Sequence, residues 1–180
     1  MIKFNVAAIN CCTETEGPYK RLTIWFQGCD IHCKGCCNPD YQAFVVRNLM
    51  TLDELVSVIK DAKEKYGIEG VTYSGGEPTL QQSLPELTKA IHELELGVIS
   101  FTGHLYEKVA DQLSGCDMVL DGAFDESKLE RKRKILGSTN QRVLCLSDRY
   151  KNCVNWFDEA DVKSIEINIG NTIFANGDKI

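Results

Sequence analysis

Apolar runs that read as strands alternate along this chain with segments of helical period, and this alternation narrows the fold more than any other feature. "RLTIWFQGC" places Leu22, Ile24, Trp25 and Phe26 before Gly28, a strand signal ending at a glycine. "TLDELVSVIKDAKEKYG" sets Leu52, Leu55, Val56, Ile59 and Ala62 on one helical face. A capping-box pattern of Thr51 and Glu54 opens that helix, and Gly67 suits its stop. The order then repeats. A strand through Val71 to Tyr73 runs into "SGGEP"; a helix carrying Leu87, Ile91 and Leu94 follows, with Ser83 and Glu86 as a second capping-box pattern and Gly97 as its stop. "VISFTG" reads as a strand and "LYEKVADQLSG" as a helix with Leu105, Val109 and Leu113 in register. Strand signals at "DMVLDG", "RVLCL" and "SIEINI", with a helical "NWFDEADV" before the last, complete the series.

Helices between strands imply parallel crossovers, because parallel neighbours need connections of about a dozen residues. At 180 residues the chain is expected to form one α/β domain over 1–180. A full eight-stranded barrel runs to ~250 residues, so an incomplete TIM-type barrel of about six parallel βα units, open on one side, is expected. A doubly wound sheet is the alternative. Both architectures put ligands at the carboxyl ends of the strands. "GCDIHC", "SGGEP" and "TGH" all fall there.

Composition limits the function. The formal net charge is −6, so the chain lacks the Lys/Arg excess of a general nucleic-acid binder. No apolar run approaches the ~20 residues of a membrane span. "MIKFNVAAINCC" is hydrophobic but lacks the basic n-region and cleavage site of a signal peptide, so a cytoplasmic protein is expected. The nine cysteines are odd in number and clustered, which suits metal binding in a reducing compartment better than a disulfide framework. Cys116, Cys145 and Cys153 stand apart and read as small buried hydrophobes. Cys11 and Cys12 have no assigned role.

The segment "GCDIHCKGCCNPD", Gly28 to Asp40, carries the chemistry. Cys29, Cys33 and Cys36 follow a C-x3-C-x2-C spacing that lets one loop wrap a metal centre. A closed zinc site needs four ligands, usually as two separated pairs. Cys37 adjoins Cys36, and neighbouring side chains on an extended loop point apart. The spacing therefore favours an iron–sulfur cluster while leaving zinc open. Three thiolates on a four-iron cluster leave one iron without a protein ligand, able to bind a substrate or cofactor.

"CDIHCKGC" resembles the signature of the radical S-adenosylmethionine superfamily. "EGPYKRLTIWFQGC", "CNPD", "VTYSGGEPTLQ", "SFTGHLYE", "DGAFDE", "GSTNQRVLCLSDRY" and "IEINI" together resemble its glycyl-radical-enzyme activating branch, the small activating proteins of anaerobic ribonucleotide reductase. The resemblance implies a [4Fe–4S] cluster held by Cys29, Cys33 and Cys36. In that superfamily S-adenosylmethionine chelates the open iron, and one electron cleaves its sulfonium–C5′ bond to methionine and a 5′-deoxyadenosyl radical that abstracts hydrogen. By resemblance the backbone around Gly35, Cys36 and Cys37 lies against the adenine. Gly75, Gly76 and Glu77 of "SGGEP" receive the methionyl ammonium, for which two glycines allow close approach and Glu77 supplies negative charge. Thr102, Gly103 and His104 are candidate contacts to the cofactor. No catalytic side chain is expected beyond cluster and cofactor.

The implied partners are a glycyl-radical enzyme, chiefly the large subunit of anaerobic ribonucleotide reductase, and flavodoxin or ferredoxin as reductant. Neither nucleic acid nor membrane is expected. The basic stretch "KLERKRK", Lys128 to Lys134, is a candidate docking patch for an acidic partner face, or else a solvated helix surface. Modification of a peptide or small metabolite, and a non-catalytic metal-binding or electron-transfer module, are the alternatives. The chain departs from its relatives at Tyr19, where a second glycine usually follows Gly-Pro, and at Cys37, where an aromatic residue is common. Both departures are expected to bear on the mouth of the site. Ser138 to Gln141 have no assigned role.

Overall fold

The computed structural model describes residues 1–158, 164–169 and 173–177. Strand β1 (Lys3–Thr13) pairs antiparallel with β2 (Arg21–Phe26) on one side and with β3 (Asn48–Thr51) on the other. Helix α1 (Leu52–Tyr66) leads to β4 (Gly70–Gly75), α2 (Leu84–Glu93) to β5 (Gly97–Thr102), and the single turn α3 (Tyr106–Val109) to β6 (Met118–Asp121). β7 (Arg142–Cys145) returns alongside β6, and α4 (Asn155–Asp158) follows. The seven-stranded sheet has the order β3-β1-β2-β4-β5-β6-β7.

The α/β class is as expected, but the count of parallel units is corrected. Only β2, β4, β5 and β6 are parallel neighbours; β1 and β7 run the opposite way, and β3 is joined to the sheet by antiparallel pairing with β1. The path of the connections decides the matter. Residues 14–20 between β1 and β2 are too few for a crossover, and residues 122–141 return to β7 at the end where β6 finished. "SIEINI" is not a further parallel strand either. Its β8 (Ile165–Ile169) pairs with β9 (Ile173–Gly177) in a separate hairpin, fastened to β1 where Asn176 Nδ2 donates to Thr13 Oγ1 at 2.9 Å.

Helix α1 starts and stops as its residues predict. Thr51 and Glu54 form the reciprocal capping box, and Gly67 closes the helix at φ 64°. The second expected box does not form, because Ser83 is not extended (φ −99°, ψ 26°) and its hydroxyl caps nothing. Gly97 opens β5 rather than ending α2, whose left-handed turn falls on Glu95. Of the helix expected over "LYEKVADQLSG" only Tyr106–Val109 is helical, and turns carry Leu113 into the core. Of "NWFDEADV", Asn155–Asp158 are helical and the rest lies outside the described residues.

Alternate residues of the central strands face two cores. Leu22, Ile24, Phe26, Tyr73 and Val98 pack with Leu55, Ile59, Leu87 and Ile91 of α1 and α2. Ile99, Met118 and Leu120 point the other way, onto Leu136, Tyr150 and Phe157. Cys116 is buried in the first core; Cys145 and Cys153 are half-buried beside the second.

One charged residue closes the amino-terminal edge of the parallel strands. Arg21 is fully buried; its guanidinium donates to Thr72 Oγ1 (2.7 Å), Val71 O (2.8 Å), Pro18 O (3.3 Å), Tyr150 OH (3.0 Å) and Glu69 Oε2 (3.3 Å). It also lies 5.2 Å from the Tyr150 ring centroid. Removing one partner of such a network strands the others, at a cost of about 3–5 kcal/mol. Arg21→Ala should therefore lower unfolding free energy by about 3 kcal/mol in a denaturant titration, and Arg21→Lys, without the planar fork, should not restore it.

Candidate metal centre and cofactor site

Parallel register brings the carboxyl ends of four strands side by side: Phe26 opposite Gly75, Tyr73 opposite Ser100, and Thr102 opposite Asp121. The cysteine loop, "SGGEP", "TGH" and "DGAFDE" leave from these ends, so the expected convergence on one edge is realised.

The cysteine loop is closed at its base. The amides of Gly28 and Cys29 donate to Tyr41 O (2.8 Å) and Gln42 O (3.0 Å), while the buried Gln27 side chain donates to Ala43 O (2.6 Å). Within it the Cys36 amide donates to Cys33 O (3.3 Å), and the Asn38 amide to Cys36 Sγ (3.3 Å). Cys29 is buried, Cys33 and Cys36 are half-buried, and Cys37 is exposed. Burial pushes the Cys29 and Cys33 thiols up, and negative charge on Cys36 raises both further. Cys29 and Cys33 thus sit in a field that resists holding them ionised without a counter-charge, which iron would supply. Among the described residues no three His, Cys, Asp or Glu side chains are set to hold a single ion. A four-iron cluster makes a different demand, since each cysteine takes an iron of its own.

The "SGGEP" turn is built onto that loop. The Gly76 amide donates to Phe26 O and the Glu77 amide to Gly28 O, each at 2.8 Å. A Cβ on Gly76 would stand 2.1 Å from Gly28 O and 2.8 Å from Tyr41 O, so only glycine fits. Glu77 is 1% exposed. Its Oε1 accepts from Thr79 N (3.0 Å), Thr79 Oγ1 (2.7 Å) and Thr102 Oγ1 (2.9 Å), and its Oε2 accepts from Gly103 N (2.8 Å). All four donors are neutral, and among the described residues no cationic side chain pairs with it. A buried carboxylate in that state suits an ammonium ligand.

Thr102 lies under Glu77 with its hydroxyl committed, donating to the carboxylate and accepting from His104 N (3.1 Å). His104 in turn reaches the cysteine loop, its Nε2 3.2 Å from Asp30 Oδ1. Gly35 has the Phe124 ring and the Glu126 carboxylate over it. The sequence reading missed Gln27, Asp30, Asn38 and Phe124. Asn38 follows the cysteines in "CNPD" and donates to Gly75 O at 3.5 Å, but no local pattern announces such a contact.

Two expectations move away from the edge. Tyr19 precedes β2, at the opposite end of the strand from the cysteines; its φ of 64° is a left-handed conformation that glycine adopts most readily. It borders a groove of about 590 Å³ with Thr13, Lys134, Trp156 and Ile165, also remote from the cysteine loop. The run Lys128 to Lys134 is not helical beyond a 3-10 turn over Glu126–Lys128. Arg133 is held by Glu130 Oε2 (2.6 Å) and Gln141 O (2.9 Å), and Lys134 is buried. Arg131 and Lys132 remain exposed.

The 4Fe-4S single cluster domain model matches residues 15–144, which contain every element of this edge. The chain belongs to that family. As a 4Fe–4S single cluster domain it has relatives among activating enzymes. It is 27% identical over 151 residues to the anaerobic ribonucleoside-triphosphate reductase-activating protein of Enterobacteria phage T4, covering 80% of this chain and 96% of the phage protein. It is 35% identical over 98 residues to the pyruvate formate-lyase-activating enzyme of Staphylococcus aureus, covering 53% of this chain and only 38% of that enzyme. QueE from Escherichia coli aligns in structure over 56% of this chain and 53% of its own, with 18% identity and a TM-score of 0.48. The resemblance to radical S-adenosylmethionine activating enzymes is borne out. No helix among the described residues is long and apolar enough to cross a membrane.

Because the turn and the loop share two hydrogen bonds, Gly76→Ala should disturb both. Iron bound after anaerobic reconstitution is expected to fall by on the order of 10-fold, the loss typical when support around metal ligands is removed. Iron loading equal to the parent would contradict this packing.

Proposed function

We propose that this protein is a radical S-adenosylmethionine activase that generates a glycyl radical on a partner enzyme, the large subunit of anaerobic ribonucleotide reductase. The carrying observation is the alignment with nearly the whole phage activating protein, together with a family match over 15–144 that contains a cysteine loop and an "SGGEP" turn bonded into one piece. The single domain, 1–180, would act as a unit, its four parallel strands a TIM-type barrel left incomplete on the side the partner covers.

On this reading Cys29, Cys33 and Cys36 hold a [4Fe–4S] cluster. Gly75, Gly76 and Glu77 receive the methionyl ammonium, and the backbone of Gly35, Cys36 and Cys37 lines the adenine. Thr102 orients Glu77 through their hydrogen bond. When bound, the cluster would supply the one electron for cleaving S-adenosylmethionine to methionine and a 5′-deoxyadenosyl radical, chemistry that would take a hydrogen atom from a glycine Cα of the partner and give 5′-deoxyadenosine and a glycyl radical. A primary-carbon radical must be kept from water. A partner loop laid across the edge provides the lid and the substrate together, and flavodoxin or ferredoxin is the reductant.

The test is anaerobic incubation with the reductase, reductant and S-adenosylmethionine, followed by electron paramagnetic resonance. A glycyl-radical doublet on the reductase is expected. Normal release of 5′-deoxyadenosine without that doublet would overturn the assignment of partner. Cys29→Ala, Cys33→Ala and Cys36→Ala should each lower cofactor cleavage by on the order of 100-fold or more, as loss of a ligand exceeds loss of its support. Cys37→Ala should retain most activity; a variant as inactive as Cys29→Ala would restore the four-thiolate model.

A further inference from the structure

The segment "GSTNQ" has no place in the chemistry above, yet it makes a dense set of polar contacts beside the cysteine loop. Gln141 Oε1 accepts from the amides of Gly137 (2.8 Å) and Ser138 (3.0 Å), and its Nε2 donates to Gly122 O (3.0 Å). Asn140 Nδ2 donates to Ala123 O (2.8 Å), and the fully buried Ser138 Oγ accepts from the Asp125 amide (3.1 Å). Three side chains therefore fasten three backbone groups of the loop that follows β6.

That loop carries Phe124. A Cβ built on Gly35 would lie 3.3 Å from Phe124 Cε1, and one on Gly137 only 2.7 Å from Phe124 Cδ2. The ring is thus seated between a glycine of the cysteine loop and a glycine of the polar segment. The Phe124 backbone is also hydrogen-bonded to the Cys33 side chain. Lys34 pairs with Glu126 one turn further along. Each contact ties the loop after β6 to the cysteine loop, and the polar segment holds the other side.

We infer that Ser138, Asn140 and Gln141 are positioning residues: a brace that sets Phe124 against Gly35 and Cys33 and so fixes one wall of the cofactor site. The cofactor side of this inference rests on the function proposed above; the mechanical side rests on the contacts alone. The brace acts through Phe124, so its loss and the loss of that ring should be strongly non-additive.

The experiment compares the parent with Gln141→Ala, Phe124→Leu and the double variant, using Ile91→Val in the core under α2 as the control for general destabilisation. Hydrogen exchange is followed in residues 33–36 and 122–126 of the reconstituted protein, and S-adenosylmethionine is titrated against the reduced cluster's paramagnetic resonance spectrum. Gln141→Ala should speed exchange in both segments roughly tenfold, the effect of losing the one hydrogen bond of its three that fastens the loop at Gly122 O. It should weaken the cofactor-induced spectral change on the order of 10-fold, and the double variant should match Phe124→Leu. Unchanged exchange over 33–36, or a change no larger than in Ile91→Val, would overturn the brace. Faster exchange with a parental cofactor response would overturn its link to the cofactor. If the parent itself shows no response to S-adenosylmethionine, the proposed function fails, and exchange over 33–36 still decides the brace.

Discussion

Two backbone hydrogen bonds, from the Gly76 and Glu77 amides to the carbonyls of Phe26 and Gly28, join the cysteine loop to the "SGGEP" turn. The rest of the edge depends on this junction. It exists because β2 and β4 are parallel neighbours in register, so their ends arrive together. It requires Gly76, because any side chain would strike the carbonyl that accepts the second bond. A loop of three thiols is thereby set beside a carboxylate without either motif being rigid alone.

The charges at the junction have a common logic. Cys29 and Cys33 are disfavoured as thiolates by burial and by Cys36, while Glu77 is buried with neutral donors only. Thiols that ionise only against a counter-charge, gathered beside a buried carboxylate, suit a cationic metal centre and an ammonium-bearing ligand. The opposite edge is built differently. There Arg21 brings its own charge and satisfies it within the protein, against Glu69, Tyr150 and main-chain carbonyls. One end of the sheet is internally neutralised, and at the other the buried Glu77 has neutral donors only.

The site was more legible in the sequence than the sheet. Three cysteines in one loop and two glycines before a glutamate are local patterns, and the structure brings the two segments together at one edge. Helix α1 was readable from Thr51, Glu54 and Gly67 because its capping is also local. Strand direction is not written locally: "RVLCL" reads the same whether β7 is parallel or antiparallel, and only the path of residues 122–141 decides. "KFNVAAINCCT" went unread as a strand because its polar and small residues blur the alternation. Phe124 and Asp30 were invisible as neighbours of the cysteine loop, and Gln141 was singled out without a role, since their partners lie far away in sequence. Contacts of that kind follow from topology.

The central claim is that three thiolates leave one iron open for the methionyl end of S-adenosylmethionine. Pulsed electron–nuclear double resonance on the reduced cluster, with the cofactor's amino nitrogen replaced by nitrogen-15, tests it most directly. The account predicts a nitrogen-15 hyperfine coupling that is present in the parent and lost or weakened in Glu77→Ala. A cluster that forms in full yet shows no coupling to the labelled nitrogen would contradict it.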